Sequence, residues 1–330
     1  MFKLAKVLIT TIPFGDRSRL SLELLENANI EYLINPLNKK LTEDQLADIV
    51  TDFDVIIAGT EPITEKVMNM ASNLKLISRV GIGLDNVDLL AAQKRGIKVS
   101  YTPDAPTAAV AELSIGLMLS LLRSVHVSNL QMHQGQWYRF LGKRLEEITV
   151  GIIGMGRIGT GVLKRLKGFG TSKILVNDIE PNSELDNEFK LEWTSKEKIY
   201  KESDIISLHL PITDLTKNLI RKEHLLTMKP DAAIINTSRG GIINEADLYD
   251  VMHSGHLSGA AIDVFEKEPY DGPLKEIERC LLTAHMGSMS VDCRTRMEIE
   301  ATEETVRFFR GNNLEKEVPQ DEYELQSQGQ

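Results

Sequence analysis

Three side chains in the last third of the chain could handle an anion and a proton together: Arg239 in NTSRGG, Glu268 in DVFEKEP and His285 in LLTAHMGS. Each lies at or just beyond a different apolar run, downstream of a strand-turn-helix glycine motif. A guanidinium grips a carboxylate through its planar fork. An imidazole moves protons near neutral pH, and a neighbouring carboxylate orients it and favours its charged form. Hydride transfer between a nicotinamide and a 2-hydroxy acid needs such a set beside a bound cofactor.

The cofactor platform must come from ITVGIIGMGRIGTGVLKRLKGFG, which reads as a strand, a glycine turn and a helix. Gly154 makes the tight turn, Gly156 leaves room for a pyrophosphate, and Gly159 lets helix and strand pack closely. Gly168 or Gly170 closes the helix. The next strand, KILVND, ends in Asp178, about 20 residues past the third glycine, where a carboxylate accepts from the adenosine ribose. A carboxylate there repels a 2′-phosphate, so NAD is expected rather than NADP. Arg157, inside the loop, is placed near the pyrophosphate.

Three further strands, DIISLHL, AAIINTS and GAAIDVF, end in His209 with Pro211, in Thr237-Ser238-Arg239 and in Asp263. Parallel sheets bind ligands at the carboxyl ends of their strands, so these residues are expected to line one crevice. Taken singly, Thr237 and Asp263 are equally ordinary turn caps, and His209 an ordinary sheet-end histidine.

Upstream, KVLITT, IEYLIN, DVIIAGT, LKLISRV and KVSYT alternate with helical patterns, including one over Leu20 to Asn27. This predicts a first parallel α/β domain over about residues 1 to 100. After LKLISRV, Gly81-Ile82-Gly83-Leu84-Asp85-Asn86-Val87-Asp88 forms either a backbone cradle for a carboxylate or a plain turn capped by Asn86 or Asp88. Pro106 and Thr107 then introduce a long helix with Thr107 as N-cap. That helix is apolar almost all round, and so is buried in a core, between domains or against another subunit.

At 330 residues two domains are expected, and the net charge of −10 argues against nonspecific nucleic-acid or membrane binding. The apolar stretch Ala108 to Leu122 contains Glu112 and falls short of a bilayer span, and MFKLAKVLITTIPF reads as a strand, not a secretory signal. A cytoplasmic protein is expected. Cys280 and Cys293 cannot build a disulfide framework, and they read as packing residues. His253 and His256 in HSGH have no neighbouring metal ligands and read as surface residues; no HExxH, Cys/His spacing or GxSxG elbow suggests a metallohydrolase or serine hydrolase. The polar tail after Gly311 is expected to fray.

With these pieces together the chain resembles the D-2-hydroxyacid dehydrogenase family from its first strand to about residue 311. The resemblance rests on VGIGLDNVD, VAEL, GIIGMGRIG, LHLP, NTSRGG, DVFEKEP and TAHMGS. It implies two doubly wound parallel-sheet domains, with a Rossmann domain of residues 102–286 inserted into a flavodoxin-like one of residues 1–101 and 287–330. It makes Arg239 the substrate anchor, His285 the acid/base and Glu268 its partner. It adds Gly81, Ile82, Gly83 and Asn86 as substrate residues. Ile158, Thr216, Thr237, Ser238 and Gly287 join the cofactor residues, and the nicotinamide carboxamide is expected near Asp263. It also implies a homodimer through the helix from Thr107, and hinges that close the domains on the substrate. Ala284 and Ser288 depart from the family's usual Pro and Gly, which bears on loop shape and substrate preference.

The stretch DAPTAAVAEL is most similar to phosphoglycerate dehydrogenases within the family. Glyoxylate or hydroxypyruvate reduction and phosphite oxidation are the alternatives, and an NAD-sensing corepressor is the alternative of another class. Feedback through a C-terminal regulatory domain is not expected, since none follows residue 311.

Overall fold

The computed structural model describes residues 5 to 327. The chain divides into two compact units, Met1–Pro106 with Met289–Gln330, and Thr107–Ser288. In sequence, the second unit lies between the two segments of the first.

The first unit has five strands: β1 (Lys6–Ile9), β2 (Glu31–Ile34), β3 (Val55–Ala58), β4 (Leu76–Arg79) and β5 (Lys98–Ser100). They pair in parallel in the order β2-β1-β3-β4-β5. VIIA and LISR are buried at every position, as strands covered on both faces must be. The helix Leu20–Asn27 buries Ser21, Leu22 and Leu25, one helical face, and the long helix Val291–Phe309 packs beside it and over β3 and β4. The helix Leu89–Lys94 is capped by Asp88, whose Oδ1 accepts from the Ala91 amide at 2.8 Å. Asn86 does not cap it.

The fraying expected after Gly311 is not what the chain does. Gln320–Ser327 is helical and packs on helix Leu89–Lys94, while Val318 enters the core and donates its amide to the Val99 carbonyl at 2.9 Å. Gln326 ties both sides, accepting from the Leu89 amide at 2.6 Å and donating to the Val87 carbonyl at 2.9 Å. Two apolar residues in a polar run, Val318 and Tyr323, supply the anchor.

The second unit has seven parallel strands: β6 (Thr149–Ile153), β7 (Lys173–Asn177), β8 (Leu191–Trp193), β9 (Ile205–Leu208), β10 (Ala233–Asn236), β11 (Gly259–Ile262) and β12 (Cys280–Leu282). Their order is β12-β11-β10-β9-β6-β7-β8. Ile206, Leu208 and Ile234 join one core, whereas Ile205, Ala233 and Ile235 join the other, so the sheet is buried on both faces. Strand order reverses between β6 and β9, which opens a crevice at their carboxyl ends.

The long apolar helix spans Ala105–Leu122, so Thr107 is not its N-cap. Pro106 occupies the first turn, where its missing N–H costs nothing, and the Thr107 hydroxyl is buried with no hydrogen-bond partner among the described residues. By length and composition this helix could cross a membrane, but Ala111, Ile115, Leu117 and Met118 pack into the second unit's core.

The tail anchor is testable. Val318→Ala removes two buried methyl groups and is expected to destabilise the first unit by about 2 kcal/mol, read as a lower melting temperature. An unchanged transition would show that the tail packing is incidental.

Candidate active site

The glycine loop follows β6 and has little spare space. Gly154 lies at φ +96°, and a Cβ there would sit 2.3 Å from the His209 carbonyl; a Cβ on Gly159 would sit 2.0 Å from the Gly154 carbonyl. A Cβ on Gly156 would meet nothing within 4 Å, so the loop is open at that residue. Gly156 is also the N-cap of helix Arg157–Lys167, so Arg157 and Ile158 stand in the first turn, where free amide groups favour an anion. Asp178 lies beside this loop, its Oδ2 accepting from the Met155 amide at 2.5 Å and its Oδ1 from the Glu180 amide at 3.1 Å. A helix terminus, an open glycine and a carboxylate at the next strand's end suit the pyrophosphate and ribose of a dinucleotide.

At the end of β9, His209 bonds through Nε2 to the Ser207 hydroxyl at 2.9 Å. Burial pushes its imidazole down to about 3, so it is neutral and is no proton donor at ordinary pH. Thr216 closes the turn that begins at Pro211, donating to the Pro211 carbonyl at 2.6 Å and accepting from the Thr213 amide at 2.8 Å.

The loop after β10 is wired by Asn236, which is 2% exposed. Its Oδ1 accepts from the Ser238 amide at 3.0 Å and the Ser238 hydroxyl at 2.7 Å, and its Nδ2 donates to the Arg239 carbonyl at 2.8 Å. The Thr237 and Ser114 hydroxyls lie 2.8 Å apart. Arg239 Nη1 donates to the Ser238 carbonyl at 2.7 Å. Gly240 then presses on the loop after β11: a Cβ there would lie 2.1 Å from the Phe265 carbonyl carbon and oxygen.

Asp263, fully buried at the end of β11, holds the loop after β12. Its carboxylate accepts from the Thr283 hydroxyl at 2.6 Å and from the Met286 and Gly287 amides, both at 2.9 Å. Its backbone carbonyl accepts from the His285 amide at 2.8 Å. So gripped, His285 adopts φ +48°, the left-handed region that side chains rarely occupy. Its Nδ1 lies 2.9 and 3.1 Å from the two carboxylate oxygens of Glu268. Glu268 Oε1 also accepts from the Phe265 amide at 3.2 Å. A neutral imidazole that donates from Nδ1 leaves Nε2 as the proton-accepting atom.

Within this unit His285 thus contacts both Glu268 and Asp263, and Arg239 sits on the loop that abuts the Glu268 loop. Asn236, Ser114 and Thr283 were not singled out from sequence. The polar residue ending the apolar run AAIIN was the available sign for Asn236. His256 is half-buried, with Nε2 3.0 Å from the Met228 carbonyl, which corrects its reading as a surface residue; His253 is exposed against Tyr249. Among the described residues no group of three His, Cys, Asp or Glu side chains could hold a metal ion.

In the first unit, Gly81 lies at φ +152° with its amide donating to the Thr102 hydroxyl at 2.8 Å. The buried Arg79 donates to the Gly83 carbonyl at 3.1 and 2.8 Å and to the Ala58 carbonyl at 3.2 Å. Asn86 Nδ2 donates to the Gly59 and Glu61 carbonyls at 3.2 and 2.7 Å. Arg79 was missed in the sequence, although an arginine at the end of the run LIS was its sign. Arg79 thus ties the Gly83 carbonyl of the turn, while Asn86 ties the turn's far end to the segment after β3.

Residues 115–287 match the family model for the D-isomer specific 2-hydroxyacid dehydrogenase NAD binding domain. The chain is 38% identical over 276 residues to a hydroxypyruvate reductase of Thermotoga maritima, covering 81% of this chain and 88% of that one. It is 36% identical over 284 residues to a D-3-phosphoglycerate dehydrogenase of Methanocaldococcus jannaschii, covering 84% of this chain but only 54% of that longer protein. Among solved structures, a D-lactate dehydrogenase of Aquifex aeolicus complexed with NAD and lactic acid superposes with a TM-score of 0.83 at 26% identity, over 93% of this chain and 96% of that one.

The position of Asp178 sets an expectation for cofactor choice. The wild type should use NADH with a higher kcat/KM than NADPH, and Asp178→Ala should lose much of that preference. Equal use of both cofactors by the wild type would remove Asp178 from the ribose site.

Proposed function

The chain belongs to the D-isomer-specific 2-hydroxyacid dehydrogenase family and is an NAD-dependent oxidoreductase, and from this we propose that His285 is its acid/base and Arg239 its substrate anchor. The observation that carries the reading is the His285–Glu268 contact on a loop fixed by Asp263.

In reduction, the substrate carboxylate and keto oxygen engage the Arg239 fork, while imidazolium Nε2 faces the keto oxygen. NAD, when bound as NADH, supplies the hydride to the carbonyl carbon. His285 gives its proton to the oxygen as negative charge develops there, and Glu268 stabilises the imidazolium beforehand. In oxidation, neutral Nε2 takes the hydroxyl proton. Gly154, Gly156, Arg157, Ile158 and Gly159 would hold the cofactor, with Asp178 for its ribose and His209, Pro211, Thr216, Thr237, Ser238, Asp263 and Gly287 as further contacts. Gly81, Ile82, Gly83 and Asn86 of the first unit are the proposed substrate-binding residues.

The substrate is a short 2-keto acid, with hydroxypyruvate first. The hydroxypyruvate reductase match spans most of both chains, and Arg79 is engaged with backbone carbonyls. A phosphorylated keto acid is the second reading, favoured by the match to phosphoglycerate dehydrogenase. A panel of both with NADH separates them. Trp137, Tyr138 and Leu141 are 80%, 64% and 103% exposed, an apolar patch suited to the homodimer we propose in the cytoplasm. Light scattering at monomer mass would contradict the dimer.

Reduction requires imidazolium, so the reductive rate should fall as pH rises while the oxidative rate climbs over the same range. Glu268→Gln removes the stabilising charge and should move the reductive profile to lower pH. A profile that stays in place in that variant would refute the pairing. His285→Ala should lower both directions by about 10² or more, and an active variant would sink the mechanism.

Arg239→Lys preserves charge without the fork. Turnover should drop steeply while NADH binding, followed by fluorescence, is little changed. Near wild-type turnover would exclude Arg239 as the anchor.

A further inference from the structure

One carboxylate outside the proposed machinery touches its frame. Glu245 opens helix Glu245–Ser254, and its Oε1 accepts from the Glu266 amide at 2.7 Å. Glu266 lies between Phe265 and Glu268, the two residues already joined by the Phe265 amide on Glu268 Oε1. The same backbone meets the Arg239 loop, because a Cβ on Gly240 would come within 2.5 Å of the Glu266 nitrogen. Glu245 therefore grips the Glu268 loop where it abuts the Arg239 loop.

The gripping residue is itself fixed. Ile242 and Ile243 are buried, the Asn244 amide donates to the Ile220 carbonyl at 2.9 Å, and the Asn244 side chain caps the helix by accepting from the Asp247 amide at 3.0 Å. A carboxylate in a helix's first turn also suits the helix dipole.

We infer that Glu245 is a positioning residue: by holding the Glu266 amide it keeps Glu268 on His285 Nδ1 and the Arg239 loop at a fixed distance from both. This rests on the proposed roles of those three residues. Burial lifts the Glu245 carboxyl above its ordinary value, the Glu266 amide hydrogen bond opposes this in part, and the charges of Glu266 and Glu268 add to the rise. The Tyr270 phenol is also within its electrostatic reach.

The test compares Glu245→Ala with Glu245→Gln in the full-length enzyme, using hydroxypyruvate and NADH. Alanine loses the acceptor and should lower kcat about tenfold, the scale of one hydrogen bond expressed in a rate. Its reductive pH profile should move to lower pH, as loss of Glu268 contact requires, with NADH affinity and melting temperature near wild type. Glutamine keeps an acceptor oxygen and should restore kcat and the profile. Alanine with wild-type kcat and profile would overturn the inference, as would glutamine behaving like alanine, or a loss that tracks NADH binding and melting alone. His285→Ala in the same assay separates the two claims. If it stays active the reading of the site fails, whereas an inactive His285→Ala beside a normal Glu245→Ala defeats only the clamp.

Discussion

The buried carboxylate of Asp263 governs the geometry of the loop after β12, which carries His285. It sits at the end of β11, fully excluded from solvent, and receives the Thr283 hydroxyl and the Met286 and Gly287 amides. A buried carboxylate without such donors would be strongly destabilising, so the loop after β12 has one favourable path around it. That path brings the His285 amide to the Asp263 carbonyl and puts His285 in the left-handed region. A backbone held in a sparsely populated region persists only when its surroundings over-determine it, and here four hydrogen bonds to one residue do so.

The rest of the second unit is arranged around neighbouring strand ends. Asn236 does for the Arg239 loop what Asp263 does for the His285 loop, with one side chain satisfying three backbone or hydroxyl partners. Gly240 allows the two loops to touch, since any side chain there would collide with the Phe265 carbonyl. On the other side of the strand-order reversal, Gly154 and Gly159 bring β6, its helix and the end of β9 into similar contact. The site is thus set by backbone approach and buried polar anchors rather than by long flexible side chains. A rigid frame of this sort holds the side chains it carries at little entropic cost.

Much of this is legible in the amino-acid sequence because the motifs carry their own physics. Alternating β-branched runs predict both sheets, and GMGRIG between a strand and a helix predicts the dinucleotide turn. What the sequence conceals is side-chain wiring. Nothing in NTSRGG says that Asn236 will turn back on Arg239, and Asp263 reads as a turn cap or a cofactor contact until its three donors are seen. Short apolar anchors also escape. Val318 and Tyr323 sit in a polar tail, too sparse for a periodic signal, yet they seat a final helix on the first unit. Thr107 has a capping residue's chemistry, but Pro106 starts the helix earlier, inside its first turn.

On the proposed role of His285, Asp263 acts through the loop it holds, and a double-mutant cycle on the rate of hydride transfer tests this most directly. Asp263→Asn turns one acceptor oxygen into a donor facing the Gly287 amide, so the loop should shift and the rate should fall. In the His285→Ala background the same change should cost little more, because the residue it positions is already gone. Full additivity of the two losses, or a wild-type rate in Asp263→Asn alone, would contradict the account.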